Sequence, residues 1–212
     1  HGLSMPIKDA SARSVQLSEI FGRGGMFGTL FAALLGAMSI TGEFRHGTIR
    51  PTFLLTPQRG RIIAAKVWAS MLIGAAFGLI AMTFAAGVGS AALAWRGVNV
   101  ELDGGDYALL LTGGAAAAAL WAAIGVGVGT IVRNQVPTTV AICTWLLFVE
   151  GLLAGDAGVI GDASKYLPGA LGNAASGQVE LVAPVLGVLL LALYAAAAAT
   201  AGWRATTRRD VA

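Results

Sequence analysis

Five long apolar runs divide this chain, and they restrict its fold more than any other feature of the sequence. Each run holds 17 to 29 residues, enough for an α-helix to cross a hydrocarbon core of about 30 Å. A helix satisfies its own backbone hydrogen bonds in lipid. The runs therefore predict an all-α, polytopic transmembrane helical bundle. They cover residues 24–40, 67–95, 107–132, 136–155 and 181–203.

The charge content supports the same fold class. Only 12% of the residues are charged and 56% are hydrophobic, whereas a soluble domain carries about a quarter charged residues. The net charge of +3 is spread over the connections between the runs, which argues against nucleic-acid binding. The single cysteine, Cys143, excludes a disulfide framework and a Cys-based metal site. We predict one transmembrane domain, residues 1–212, embedded in a lipid bilayer.

The connections between the runs alternate in charge, and this predicts an orientation. Segment 41–66 is basic and is therefore expected in the cytoplasm by the positive-inside rule, whereas connections 96–106 and 156–180 are acidic and are expected outside. Residues 1–23 would then lie outside, so the complete protein is expected to have an earlier, sixth span that this N-terminally truncated chain lacks. The basic residues of the inner connection are Arg45, Arg50, Arg59, Arg61 and Lys66.

Glycines four residues apart occur in three of the runs. Such small-xxx-small spacing lets two helix backbones approach closely in a membrane. With 30 glycines in the chain, the spacing also arises by abundance alone, and no pair marks a dimer interface by itself. The pairs are Gly74 and Gly78, Gly125 and Gly129, and Gly151 and Gly155.

The inner connection 43–66 is too long and too apolar to be a simple tether. Ile49, Phe53 and Leu54 recur at helical spacing, and Thr48 is a suitable N-cap, so a short amphipathic helix is predicted here. A proline at position 57 would end it after about two turns. Physical reasoning leaves two functions open for this helix: it could lie on the inner membrane surface or dock into a partner protein.

A sequence pattern in the same connection resembles the permease subunits of ABC type-2 transporters. The pattern is Glu43-x-x-x-Gly47-Thr48-Ile49, then Leu54-Leu55-Thr56-Pro57-x-Arg59 and Lys66; Tyr166-Leu167-Pro168 adds to it in the last outer connection. The resemblance implies that segment 43–66 is a coupling helix seated in a separate ATPase subunit. The residues that it assigns to ATPase coupling are Glu43, Gly47, Thr48, Ile49, Phe53, Leu54, Pro57 and Arg59.

The resemblance also implies the setting in which the chain works. It indicates a multi-pass protein of the bacterial plasma (inner) membrane, an exporter that pairs with a second permease copy or a homologue. ATP and Mg²⁺ are expected on the partner ATPase, with no cofactor in this chain. Two other classes stay open: a secondary transporter driven by an ion gradient, and a non-transporting membrane scaffold or immunity protein.

The sequence contains no motif for hydrolysis of its own. A phosphate-binding loop needs a glycine-rich stretch ending in Lys-Ser or Lys-Thr, and none of Lys8, Lys66 and Lys165 has that context. A metalloprotease helix needs two histidines one turn apart, but the only histidines are His1 and His46. We therefore predict a transport subunit that is not an enzyme and holds no metal.

Glu150 is the ionisable residue placed most clearly inside an apolar run. A charged side chain at the centre of a bilayer costs about 2.5 to 3.5 kcal/mol, so it needs a partner or water. One interpretation puts Glu150 on a transport path near its outer mouth. The other ends the span early and puts Glu150 at the membrane interface.

Overall fold

A computed structural model of the chain describes residues 13–47, 59–154, 160–179 and 182–208. The α-helices are α1 Gly22–His46, α2 Arg59–Trp95, α3 Gly104–Val132, α4 Gln135–Thr144, α5 Glu150–Ala154, α6 Pro168–Ala175 and α7 Pro184–Arg208. The other helical turns are an α-turn at Arg13–Val15, π-helical turns at Gln16–Phe21 and Trp145–Val149, and a 3₁₀ turn at Gly161–Tyr166.

The all-α fold and its five spans are confirmed. No β-strand occurs in the described ranges, and five helices are long and apolar enough to cross a membrane. The largest boundary difference is at α2, which begins at Arg59, eight residues before its apolar run. Helix α1 continues past its run to His46, and α7 begins at Pro184, where a proline fits the first helical position. The spans are Gly24–His46, Gly60–Trp95, Gly104–Val132, Gln135–Ala154 and Pro184–Thr206.

Helix α3 is the centre of the bundle. It packs against α1, α2 and α7, and about half of its residues are buried. The helix crossings are made by glycine, because a side chain would occupy the space of a neighbouring backbone. A Cβ on Gly36 of α1 would overlap the Ala122 carbonyl of α3, and one on Gly127 of α3 would lie 2.5 Å from the carbonyl of Ala198. These contacts bring helix backbones together without intervening side chains.

Two of the three glycine pairs lie at helix crossings within the chain. A Cβ on Gly74 or Gly78 of α2 would lie within 3 Å of an α3 carbonyl oxygen, so this pair packs within the chain. Gly125 and Gly129 of α3 make the corresponding crossing with α1. Gly151 makes no such crossing within the chain, since a Cβ there would meet nothing within 4 Å; Gly155 lies outside the described residues.

Helix α2 is much longer than one crossing of a membrane requires. Its 37 residues extend for about 55 Å at 1.5 Å per residue, against a hydrocarbon core of about 30 Å. Large apolar side chains such as Leu72, Ile80 and Phe84 are exposed along it. In a membrane protein such a face is suited to lipid. The extra length includes the charged first turns between Arg59 and Lys66.

The connections gather at two ends of opposite charge. The basic end, defined by Arg45, Lys66, Arg133 and Arg204, lies where α1, α3 and α7 finish and α2 begins; the acidic end is defined by Glu101, Asp103, Asp106 and Asp162. Gln16, fully buried ahead of α1, donates to the Asn99 carbonyl at 3.0 Å and accepts from the Glu101 N–H at 3.0 Å. The stretch before α1 therefore sits at the acidic end, on the same side as connection 96–106.

The start of α3 is closed by a capping box. The Asp103 carboxylate accepts from the Asp106 N–H at 2.8 Å, and the Asp106 carboxylate accepts from the Asp103 N–H at 3.2 Å. We expect Asp103→Ala to lower the free energy of unfolding by about 1 kcal/mol, because free N–H groups of the first turn lose an acceptor. Thermal melting followed by circular dichroism measures this, with the exposed Asp162→Ala as control. Equal melting temperatures for both variants would contradict it.

Candidate functional site

An ion pair joins the two helices that flank residues 43–66, the predicted coupling segment. Lys66 Nζ lies 2.7 Å from Glu43 Oε1, and each side chain is less than a third exposed. The same ammonium donates to the Ser39 carbonyl at 3.0 Å, one turn earlier in α1. Ser39 and Ser70 share a hydrogen bond between their hydroxyl groups at 3.3 Å. The final turns of α1 and the first turns of α2 are therefore held together at the basic end.

Gly47 ends α1 in a conformation that suits glycine. Its φ is +69°, in the left-handed region, and its N–H donates to the Phe44 carbonyl at 3.4 Å. Such a residue just after the last helical turn satisfies carbonyls that the helix leaves free, and a side chain there is strained. This explains why the sequence pattern has glycine at this point: it turns the chain out of α1.

The basic end is held together by two arginines. The Arg45 guanidinium donates to Gln135 Oε1 at 3.1 Å, which ties α1 to the start of α4. Arg133 caps the end of α3 with a φ of 58°, donates to the Ala205 carbonyl of α7 at 3.0 Å, and lies 5.4 Å from the centre of the Phe44 ring. These contacts tie α1 to α4, and α3 to both α1 and α7, at the basic end.

The structure describes the base of the coupling segment and not its tip. Glu43 and Gly47 lie at the end of α1, and Arg59 is the first residue of α2. The two ends of the segment are brought together by the ion pair with Lys66. The other predicted coupling residues, Thr48, Ile49, Phe53, Leu54 and Pro57, lie outside the described residues, so their assignment stays a prediction.

Glu150 lies at the acidic end, away from the coupling segment. Its Oε1 accepts from the indole N–H of Trp145 at 2.7 Å and from the backbone N–H of Gly169 at 2.8 Å. Gly169 belongs to the first turn of α6, whose N-cap, Leu167, offers no side-chain acceptor. Glu150 therefore caps α6 from a different helix, and its placement on a transport path stays a prediction.

A cavity of about 390 Å³ opens beside Glu150. Its lining comes from the stretch before α1 and from α1, α2, α3, α5 and α6, and it includes Trp121, whose indole N–H is buried and has no acceptor in the described part of the chain. Sequence reasoning missed Trp121; the available signal was one large aromatic side chain inside a tract of Gly and Ala. Within the described ranges, no three His, Cys, Asp or Glu side chains come together to hold a metal ion.

The five spans, the two charged ends and the exposed apolar faces define a multi-pass membrane protein. The sequence model of the ABC-2 family transporter protein matches residues 7–168. The match covers most of the chain, and the chain therefore belongs to the ABC-2 transporter family as a permease, a component of membrane transport. Searches against curated proteins and against solved structures found no match.

Proposed function

We propose that the chain is the membrane-spanning subunit of an ATP-driven exporter in the bacterial plasma membrane, coupled to a separate ATPase through residues 43–66. Family membership supports an ATPase partner in general terms. The observation that carries the specific proposal is the ion pair between Glu43 and Lys66, because it joins both ends of the segment to the bundle. A push on the segment then acts on α1 and α2 together.

The coupling follows from how the base of the segment is built. ATP binding would bring two ATPase subunits together, and the segment would carry that movement into the membrane. Because α1 and α2 both cross α3 at glycines, movement of this pair is transmitted directly to the central helix. ATP and Mg²⁺ are bound by the partner, and this chain serves as a permease without an ATPase site or a cofactor of its own.

The translocation path in this proposal forms between two permease subunits, a second copy of this chain or a homologue. The exposed apolar face of α2 supports this arrangement, because it can contact either lipid or another permease. The direction of export and the place of Glu150 beside the path are parts of the proposal. A gradient-driven transporter would need no ATPase, and a scaffold would need no coupling segment, so ATPase binding separates the three functions.

The test is co-purification with an ATPase encoded beside this chain. We expect the complete permease to retain that ATPase in mild detergent and Phe53→Asp to lose it at least tenfold, because a carboxylate on the apolar face of the predicted helix opposes burial in a protein cleft. Tyr166→Asp, an equivalent change at an exposed residue of the acidic end, is the matched control and should retain the ATPase. Unchanged co-purification of Phe53→Asp would overturn docking through this segment.

A further inference from the structure

The cavity at the acidic end has the dimensions and the composition of a ligand site. Its volume of about 390 Å³ falls in the range of small-molecule pockets, which is about 300 to 1,000 Å³. More of its surface is apolar than polar, and six polar side chains also line it: Ser18, Thr29, Glu150, Asn173, Ser176 and Gln178. It lies at the opposite end of the bundle from Glu43 and Lys66, so a ligand there does not contact that ion pair.

Glu150 places a carboxyl group at this cavity that is not paired with a basic side chain in the described part of the chain. Its two hydrogen-bond donors, Trp145 and Gly169, are both neutral. Among the described residues, no basic side chain contacts this carboxyl group. In its ionised form, a carboxyl group inside a membrane-embedded bundle is stabilised by a counter-charge. A bound cation would supply that charge.

A π-helical turn and two hydrogen bonds fix the position of the Glu150 side chain at the cavity. Trp145 and Glu150 are five residues apart and are joined by a π-helical turn, whose period matches their spacing. Gly169 allows the close approach, because a Cβ there would overlap the Glu150 carboxylate. The other π-helical turn, Gln16–Phe21, also borders the cavity through Ser18. Such turns inside helices occur frequently at functional sites.

The rest of the cavity suits an apolar body. Met26, Met82 and Leu146 line it, and methionine side chains adapt readily to ligands of different shape. Trp121 is 3% exposed, and its unbonded indole N–H lies against Gly172, where a Cβ would be 3.7 Å away. The cavity therefore has the Glu150 carboxyl group beside the apolar side chains of Met26, Met82 and Leu146.

We infer that this cavity binds an amphipathic ammonium compound, with the cationic head at Glu150 and the apolar chain against Met26, Met82 and Leu146. The same chemistry is present in a free alkylamine and in the head group of an aminophospholipid from the surrounding bilayer. The inference goes beyond the proposed function, and it holds whether or not residues 43–66 bind an ATPase.

The test compares a cationic probe with its neutral analogue. The complete chain in non-ionic detergent is titrated with dodecylamine and with dodecanol, and binding is followed by tryptophan fluorescence. We expect dodecylamine to bind at least tenfold more tightly than dodecanol, and Glu150→Gln to abolish the difference. The amide oxygen of Gln still accepts from Trp145 and Gly169, so α6 keeps its cap; unchanged circular dichroism checks this. Glu101→Gln, an exposed acid at the same end, is the control and should keep the preference.

Equal affinities for the two probes in the unmodified chain, or a preference that survives Glu150→Gln, would overturn the inference. A second arm identifies the natural source of the ammonium group. If nanodiscs of phosphatidylethanolamine weaken dodecylamine binding relative to nanodiscs of phosphatidylglycerol, the ligand is the lipid head group. If the affinity is the same in both, the ligand is a free amphipathic amine.

Discussion

A single methyl group at Gly125 is expected to lower the melting temperature of the bundle by up to about 10 °C. A Cβ there would overlap the Ala33 carbonyl of α1 and lie 3.0 Å from the Ala37 nitrogen, and backbone atoms cannot move aside as a flexible side chain can. Overpacking of this kind costs about 1 to 3 kcal/mol and exceeds the gain of roughly 0.5 to 1 kcal/mol that alanine brings to a helix interior. For a domain of this size each kcal/mol shifts the melting temperature by about 2 to 4 °C.

The control for Gly125→Ala is the same substitution where the space is open. A Cβ on Gly87 of α2 would meet nothing within 4 Å, so Gly87→Ala should leave the melting temperature unchanged or raise it slightly. Both variants are melted in the same detergent and followed by circular dichroism. If Gly125→Ala melts at or above the temperature of Gly87→Ala, α1 and α3 do not cross at this glycine.

The second large effect is expected at the base of the coupling segment. Lys66→Met removes the ammonium and leaves the Glu43 carboxylate, whose Oε2 is already buried and has no hydrogen-bond partner among the described residues. An uncompensated charge in such a place costs about 1 to 3 kcal/mol, less than in a fully buried pair because both side chains keep some exposure. We expect a loss of this size in the free energy of unfolding, measured by denaturant titration in mixed micelles.

A double-mutant cycle distinguishes the ion pair from a general effect of losing a lysine. Glu43→Gln removes the stranded charge, so the double variant Glu43→Gln with Lys66→Met should be more stable than Lys66→Met alone. Arg204→Met removes an exposed positive charge at the same end and is the matched control: its effect should be the same with and without Glu43→Gln. Strictly additive losses in the cycle would show that Glu43 and Lys66 do not interact in the folded bundle.

The sequence was sufficient to predict the spans and the two charged ends, because both depend on local composition. Span length follows from the apolar runs, and the charge of an end follows from the connections. The sequence could not identify α3 as the central helix, since all the runs are apolar and several are rich in glycine. Which glycines make crossings depends on the partner helix: Gly74 meets α3, whereas Gly151 meets open space.

The candidate sites were predictable to different degrees. The resemblance singled out Gly47, and the left-handed φ gives the physical reason for glycine there. The ion pair of Glu43 with Lys66 spans 23 positions, and the bonds of Gln16 to connection 96–106 span more than 80, so neither leaves a local pattern to read. Trp121 resembles any core aromatic residue in sequence. Its unbonded N–H becomes visible only when the surrounding helices are in place.

The length of α2 determines how far its first residue, Arg59, projects from the membrane. At the average tilt of about 20°, the helix covers roughly 52 Å along the membrane normal, about 10 Å more than a bilayer with its head groups. If Trp95 sits at the outer head groups, Arg59 stands clear of the inner leaflet in water. At that distance from the head groups, the first residue of α2 is in water and not in lipid. This favours binding to a soluble partner over adsorption to the membrane surface.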